Sequence, residues 1–274
     1  MQILEILSPI SIQRSPDHPN QLAGWCLATL ILLLTTPQPG QAQTATANKW
    51  SSVAAEIGSR IFLDESLSSP PGQACSSCHQ PKFAFADPRV VSTGAVAGRT
   101  GKRNSPSLMY AALIPALALD EQLTSDGSEV FLWEGGQFRD GRARDLFEQV
   151  RMPFFDSSEM NLTDENELAN LLRRSEYFPQ IQTWLGAKLV NDDQQLSYHA
   201  FRALVQFLRE PIFRPFAAKI DDYLAGDKNS LSESQKRGLE IFLGSGRCNE
   251  CHMLELRTWD QPLLSDFGYD NLGV

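Results

Sequence analysis

Residues 50–79 read WSSVAAEIGSRIFLDESLSSPPGQACSSCH, and residues 231–252 read LSESQKRGLEIFLGSGRCNECH. The two stretches share a plan. Each carries G-x-x-I-F-L, from Gly58 to Leu63 and from Gly238 to Leu243, then a loop, then C-x-x-C-H. Val53, Ala54, Ile57, Ile61 and Phe62 fall at helical spacing, which predicts a helix over 50–64 capped by Ser51 or Ser52. Leu239, Phe242 and Leu243 predict a second over 231–243, where Ser232 and Gln235 form a capping-box pair and Gly244 a stop. The pattern is an internal repeat of two similar modules.

C-x-x-C-H is the attachment signature of c-type haem. Two thiols three residues apart on one turn can form thioethers to one haem, and the next histidine then faces the iron. Cys75, Cys78 and His79 predict one covalently bound haem c, and Cys248, Cys251 and His252 a second, with His79 and His252 as iron ligands. Two C-x-x-C pairs also suit one Zn²⁺ or redox dithiols. Both alternatives leave His79 and His252 unexplained in a chain with four histidines. Of the other two, His18 lies in the leader and His199 sits among Phe201, Leu204 and Leu208 on a helical pattern, as a packed imidazole does.

Between the repeats, residues 164–174 and 197–209 have helical periodicity. Pro81, Pro88, Pro106, Pro115 and Pro153 divide the rest into loops and short helices. No alternating strand pattern stands out, so the fold class is all-α with long loops: two cytochrome-c-like haem domains. The chain has 274 residues, 42% hydrophobic, which excludes a disordered or disulfide-dense scaffold. A net charge of −9 with no basic run excludes a nucleic-acid partner.

Leu22–Leu34 (LAGWCLATLILLL) is uncharged, too short to span a bilayer and suited to a signal h-region; Cys26 is filler within it. Gly40 and Ala42 offer a cleavage site. We read 1–42 as a signal peptide and the periplasm as the destination. Arg14 is the only strong positive before the apolar run, so an uncleaved anchor fits as well. Export also agrees with c-type haem attachment and disfavours free thiols.

Several further segments carry a family resemblance. Pro81-Lys-Phe-Ala-Phe-Ala-Asp87 follows the first C-x-x-C-H. Then come Arg103-Asn104-Ser-Pro106-Ser-Leu108, Asp140-Gly141-Arg142-Ala143 with Leu146 and Gln149, Pro153 with Glu159-Met160, and Phe267-Gly-Tyr-Asp270-Asn271-Leu-Gly273-Val274. In this order between two haem sites, the sequence resembles the bacterial di-haem cytochrome c peroxidases. The methylamine-utilisation di-haem enzyme shares their superfamily.

The resemblance implies roles. His79 would hold the peroxidatic haem and His252 the electron-entry haem. Gln149 and Glu159 match the family's distal glutamine and acid. A carboxylate in a poorly solvated pocket can take a proton from peroxide and return it to the leaving oxygen; outside the resemblance, Glu159 near Asp156 reads as a solvated acid. Asn104 matches a residue that contributes to a Ca²⁺ site between the haems. Arg103 and Arg142 suit haem propionates, or are ordinary surface charge. The partners implied are hydrogen peroxide, a small electron donor (a c-type cytochrome or cupredoxin), and a second copy of the chain, dimers being usual in the family.

Three departures from the family pattern stand out. Residues 88–102 contain no histidine where many members carry a distal one, so the iron is expected to be five-coordinate and ready at rest. Arg139 occupies the place of a tryptophan that bridges the haems, and Trp133 nearby is no assured substitute. Residues 253–274 are shorter than the family's tail, which supplies the second haem's sixth ligand, and Met253 adjoins His252 and cannot reach the opposite face. We therefore expect residues 43–228 to form the peroxidatic domain and 229–274 an incomplete electron-transfer domain. Peroxidase activity impaired by truncation is the leading expectation; a non-enzymatic electron-transfer cytochrome or a gene remnant is the alternative.

Overall fold

Helices dominate the chain, as the periodicity requires. In the computed structural model, which describes residues 39–123, 127–254 and 262–269, they are α1 (Pro39–Leu63), α2 (Cys75–Cys78), α3 (Leu146–Phe155), α4 (Glu165–Leu172), α5 (Phe178–Leu185), α6 (Ala187–Val190), α7 (Asp193–Leu208), α8 (Lys219–Leu224) and α9 (Glu233–Leu243). The leader assigned to 1–42 lies mostly outside the described residues. Among those described, no helix is long and apolar enough to cross a membrane.

The core is built around α7. Asp192 caps it by accepting from the Gln195 N–H at 3.0 Å, and Leu196, Ala200, Phe201, Ala203, Leu204 and Leu208 are buried along it. Val150 and Phe154 of α3 and Leu168, Ala169 and Leu172 of α4 belong to the same cluster. Helix α1 contributes Ile57, Ile61 and Phe62, with the Phe62 ring 5.4 Å from that of Phe207. Gly58 permits the approach: a Cβ there would lie 2.6 Å from the Ala203 carbonyl carbon and 2.9 Å from Phe207 Cβ. His199 is packed between Trp184 and Tyr198, at 5.8 and 5.3 Å between ring centroids.

Helix α9 keeps the expected capping box, Ser232 accepting from Gln235 N–H and Gln235 accepting from Ser232 N–H. Its surroundings differ from those of α1. No α9 residue is buried, Ile241 is 56% exposed, and nothing described lies within 4 Å of a Cβ built on Gly238.

Three local expectations need correction. An antiparallel hairpin, β1 (Ala118–Leu123) and β2 (Glu129–Glu134), pairs Leu119 with Trp133 and Glu121 with Phe131. It escaped notice because β2 buries neither face, so no alternation was selected. Pro153 lies inside α3. It removes one bond near the end of the helix, and the Asp156 N–H closes on Met152 O at 3.1 Å. Helix α1 extends back to Pro39, so neither Ser51 nor Ser52 caps it; Ser52 Oγ donates to Lys49 O instead. The expected stop of α9 at Gly244 holds, with φ −117° there and the left-handed turn at Arg247, φ 55°.

Candidate active site

The first C-x-x-C-H begins as a single helical turn. Ala74 N–H donates to Ser77 Oγ at 3.0 Å and the His79 N–H to Cys75 O at 2.9 Å. The chain then doubles back through Ala84 and Phe85, both left-handed (φ 54° and 57°), and delivers the Phe85 carbonyl to His79. A carbonyl only accepts, so Nδ1 carries the proton of this 2.9 Å bond and Nε2 keeps a free lone pair. Burial holds His79 below its ordinary pKa and raises the Cys75 thiol to about 12.

Cys75, Cys78 and His79 line a cleft whose apolar walls include Phe62, Leu108, Val150, Leu204 and Leu208. Gln149 and Glu159 line the same cleft. Helix α3 presents Gln149, and the return loop after it brings Glu159 back, with Glu159 N–H on Asp156 O (3.0 Å) and Met160 N–H on Pro153 O (3.1 Å). Burial raises the Glu159 pKa to about 7; Asp156 adds to the rise and Arg142 opposes it.

A second lobe shares Cys78, His79, Gln149 and Glu159 and continues past Arg103, Asn104, Arg139, Asp140 and Arg142. Arg103 and Arg142 grip one carboxylate, Asp140, at 2.9 and 2.8 Å, and the Arg142 guanidinium stacks on Phe138 at 3.7 Å. Two guanidiniums on one carboxylate leave positive charge facing the cleft. Asn104 is tied into the wall of this lobe. Its amide N–H groups serve Asp87 O and Arg89 O, and its Oδ1 faces Arg139 at 3.4 Å. Among the described residues no three His, Cys, Asp or Glu side chains cluster to hold a metal ion. Trp133 stands on the hairpin, 54% exposed.

The second C-x-x-C-H repeats the histidine hook. His252 N–H bonds Cys248 O at 2.9 Å, and His252 Nδ1 donates to Leu264 O at 3.0 Å. Leu264, like Phe85, is left-handed (φ 54°). The supports differ, since Cys248, Cys251 and His252 are exposed. The adjoining stretch is fastened to the hairpin base, where Gly135 N–H donates to Phe267 O at 2.9 Å.

At the first site, both thiols are free of a disulfide, apolar walls surround them, and the imidazole is aimed by its backbone bond. These features fit a covalently held haem. A family model described as "Di-haem cytochrome c peroxidase" matches residues 52–229. The chain belongs to this family. It is 32% identical over 257 residues to methylamine utilization protein MauG of Paracoccus denitrificans, covering 91% of this chain and 63% of that protein. It is 29% identical over 222 residues to cytochrome c551 peroxidase of Pseudomonas aeruginosa, covering 80% and 56%. The crystal structure of the di-haem peroxidase BthA from Burkholderia thailandensis, as its Y463M variant, superposes with a TM-score of 0.71 at 31% identity, covering 80% of this chain and 54% of that one. The chain thus spans somewhat over half the length of these di-haem peroxidase relatives. Membership implies two c-type haems and agrees with the helical fold.

Sequence reasoning gave no role to Gln73, Asp87 or Gly94. Asp87 has a fully buried side chain, gripped by Arg89 (Nη2 to Oδ2, 2.7 Å) and Ser92 (2.6 Å). The Arg89 bonds hold its pKa down at about 2. Gln73 Nε2 donates to Thr93 O at 2.9 Å and lies 3.3 Å from Cys78 Sγ. A glutamine or a loop glycine carries no local pattern that marks such a place.

Proposed function

We propose that this chain is the haem-binding part of an exported di-haem peroxidase that reduces hydrogen peroxide to water at the His79 site. Electrons come from a small c-type cytochrome or cupredoxin by way of the His252 site. Residues 43–228 form the peroxidatic domain and 229–274 the beginning of the electron-entry domain, after a leader over 1–42. The observation that carries this reading is the convergence of Gln149 and Glu159 on the cleft that holds Cys75, Cys78 and His79.

The bound haem iron supplies the centre at which the O–O bond is cleaved. The chain's own residues do the rest. Cys75 and Cys78 would tether the group and His79 Nε2 would hold the iron, with Phe85 O fixing the ring. Glu159, with a pKa of about 7, accepts a proton from peroxide and returns it to the departing oxygen. Gln149 holds the peroxide by a hydrogen bond. Two electrons from the donor and two protons convert one peroxide into two waters. Arg103 and Arg142 offer cationic partners to the propionates.

The exposure of Cys248, Cys251 and His252 favours a second reading on one point. With that site uncovered, the chain carries electrons without sustained turnover. Stopped-flow absorbance of the haem-loaded protein after mixing with peroxide, followed by steady-state assay with a reduced donor, tests both. We expect a fast peroxide-induced change in the wild type, lost in Glu159→Gln, and weak steady-state turnover. Two low-spin haems inert to peroxide would refute the peroxidase reading.

A further inference from the structure

Residues 92–101 form a strap that touches both ends of the site. Its own turn is closed by Gly94 N–H on Arg99 O and Gly101 N–H on Ser92 O, both at 2.9 Å. On the attachment side, the Thr93 carbonyl accepts from Gln73, which lies against Cys78. On the acid side, Ala95 N–H donates to the carbonyl of Glu159 itself at 2.7 Å. Arg99 Nη1 reaches Ser157 O at 3.1 Å and Asn161 Oδ1 at 3.0 Å. The far side of the acid loop is held as well, by Asn161 Nδ2 on Ser69 O (2.7 Å) and Ser69 N–H on Met160 O (2.9 Å).

Gly94 lets the strap sit this close. A Cβ there would overlap the Ser158 carbonyl oxygen and lie 2.7 Å from its carbon and 3.3 Å from Glu159 N, against the 3.4–4 Å of ordinary contact. Both neighbours are backbone, so neither can swing aside as a side-chain tip does. Any larger residue pushes the strap off Ser158–Glu159 or moves those residues with it.

We propose that this strap is the positioning element of the peroxide site: it gauges Glu159 against the Cys75–His79 turn through Gln73 and Thr93 at one end and through Gly94, Ala95 and Arg99 at the other. The proposal rests on the reading of Glu159 as the proton-transfer group. Gly94 and Arg99 are positioning residues, with no contact of their own to peroxide.

The test uses the haem-loaded full chain and the rate of its peroxide-induced absorbance change as a function of pH. Gly94→Ala and Arg99→Ala are compared with wild type, Arg99→Lys and Glu159→Gln. Displacement by most of an ångström should lower the plateau rate about tenfold or more in Gly94→Ala. A carboxyl moved toward solvent also loses its burial, so the rising limb shifts to lower pH. Arg99→Ala should show the same shift with a smaller loss, and Arg99→Lys should recover part of it. Haem content and thermal midpoint check each variant for folding, and Arg99→Ala keeps the test informative if Gly94→Ala does not fold. Wild-type rate and pH profile in both strap variants, with Glu159→Gln inactive, would overturn the strap and leave the acid's role standing. Full activity in Glu159→Gln would overturn both.

Discussion

The two G-x-x-I-F-L helices make opposite predictions for the same substitution. In Gly58→Ala the new Cβ meets the Ala203 carbonyl carbon at 2.6 Å and Phe207 Cβ at 2.9 Å, where ordinary contact is 3.4–4 Å. Helices α1 and α7 must part by roughly 0.5–1 Å, loosening Ile57, Ile61 and Phe62 against the core. Overpacking of this kind costs about 1–3 kcal/mol, and a clash with backbone sits at the upper end. The better helix propensity of alanine returns only about 1 kcal/mol. Gly58→Ala should therefore destabilise by about 1–2 kcal/mol. In Gly238→Ala the propensity gain is unopposed, since nothing described lies within 4 Å, so stability should rise by about 0.5–1 kcal/mol. At about 2–4 °C per kcal/mol, thermal unfolding of the haem-loaded protein followed by circular dichroism resolves the difference. Equal destabilisation by both substitutions would refute the reasoning, because it would mean that Gly238 is as tightly covered as Gly58.

The peroxide reaction should be slow below pH 7 and rise through about 7 as Glu159 deprotonates, since the base form accepts the proton. Asp156→Asn should move that midpoint down and Arg142→Gln should move it up; stopped-flow rates that titrate identically in all three proteins would exclude the electrostatic account. Asp87 is held low in the folded state, at about 2 against an ordinary carboxylate value near 4, so its stabilisation is present above pH ~4 and lost as pH falls toward 2. Acid titration by circular dichroism should show a steeper loss in wild type than in Asp87→Asn over that window, by on the order of 1–2 kcal/mol. Cys248→Ser with Cys251→Ser should halve the haem content in a pyridine haemochrome assay while the peroxide-induced change persists; loss of that change would place the chemistry at the other haem.

Much of this was legible in the residues. The motifs fixed both haem turns, helical periodicity located α4, α7 and α9, and the ordered short segments pointed to Gln149 and Glu159. What escaped depends on contacts distant in sequence. Gly94 and Glu159 are far apart along the chain, and a glycine in a Ser/Thr/Gly loop looks like any turn residue. Asp87 was quoted within a motif, yet its burial depends on Arg89, Ser92 and Asn104 closing over it. Asn104, likewise quoted for its motif, has its amide N–H groups on two backbone carbonyls and its oxygen facing Arg139, contacts that only the fold brings together. The hairpin was missed because its apolar residues, Phe131, Leu132 and Trp133, are contiguous and exposed rather than alternating.

The proposed division of labour between the two haem turns rests on their surroundings, since their local geometry is nearly the same. His79 and His252 each donate Nδ1–H to a carbonyl from a left-handed residue, at 2.9 and 3.0 Å. That hook aims an imidazole at iron and does nothing to select a reaction. Selection comes from what faces the open side. At His79 the cleft has apolar walls, which raise a carboxyl to the pKa that proton shuttling at neutral pH requires. At Cys248–His252 the described surroundings are exposed, and the described acid there, Glu250, is held low by its bond to Arg247. A carboxyl so placed stays ionised and cannot return a proton to a leaving oxygen near neutral pH. Under the proposed function, the exposure of the second turn agrees with electron entry from a donor protein. On the proposed reading, these surroundings favour peroxide chemistry at the first turn and electron entry at the second.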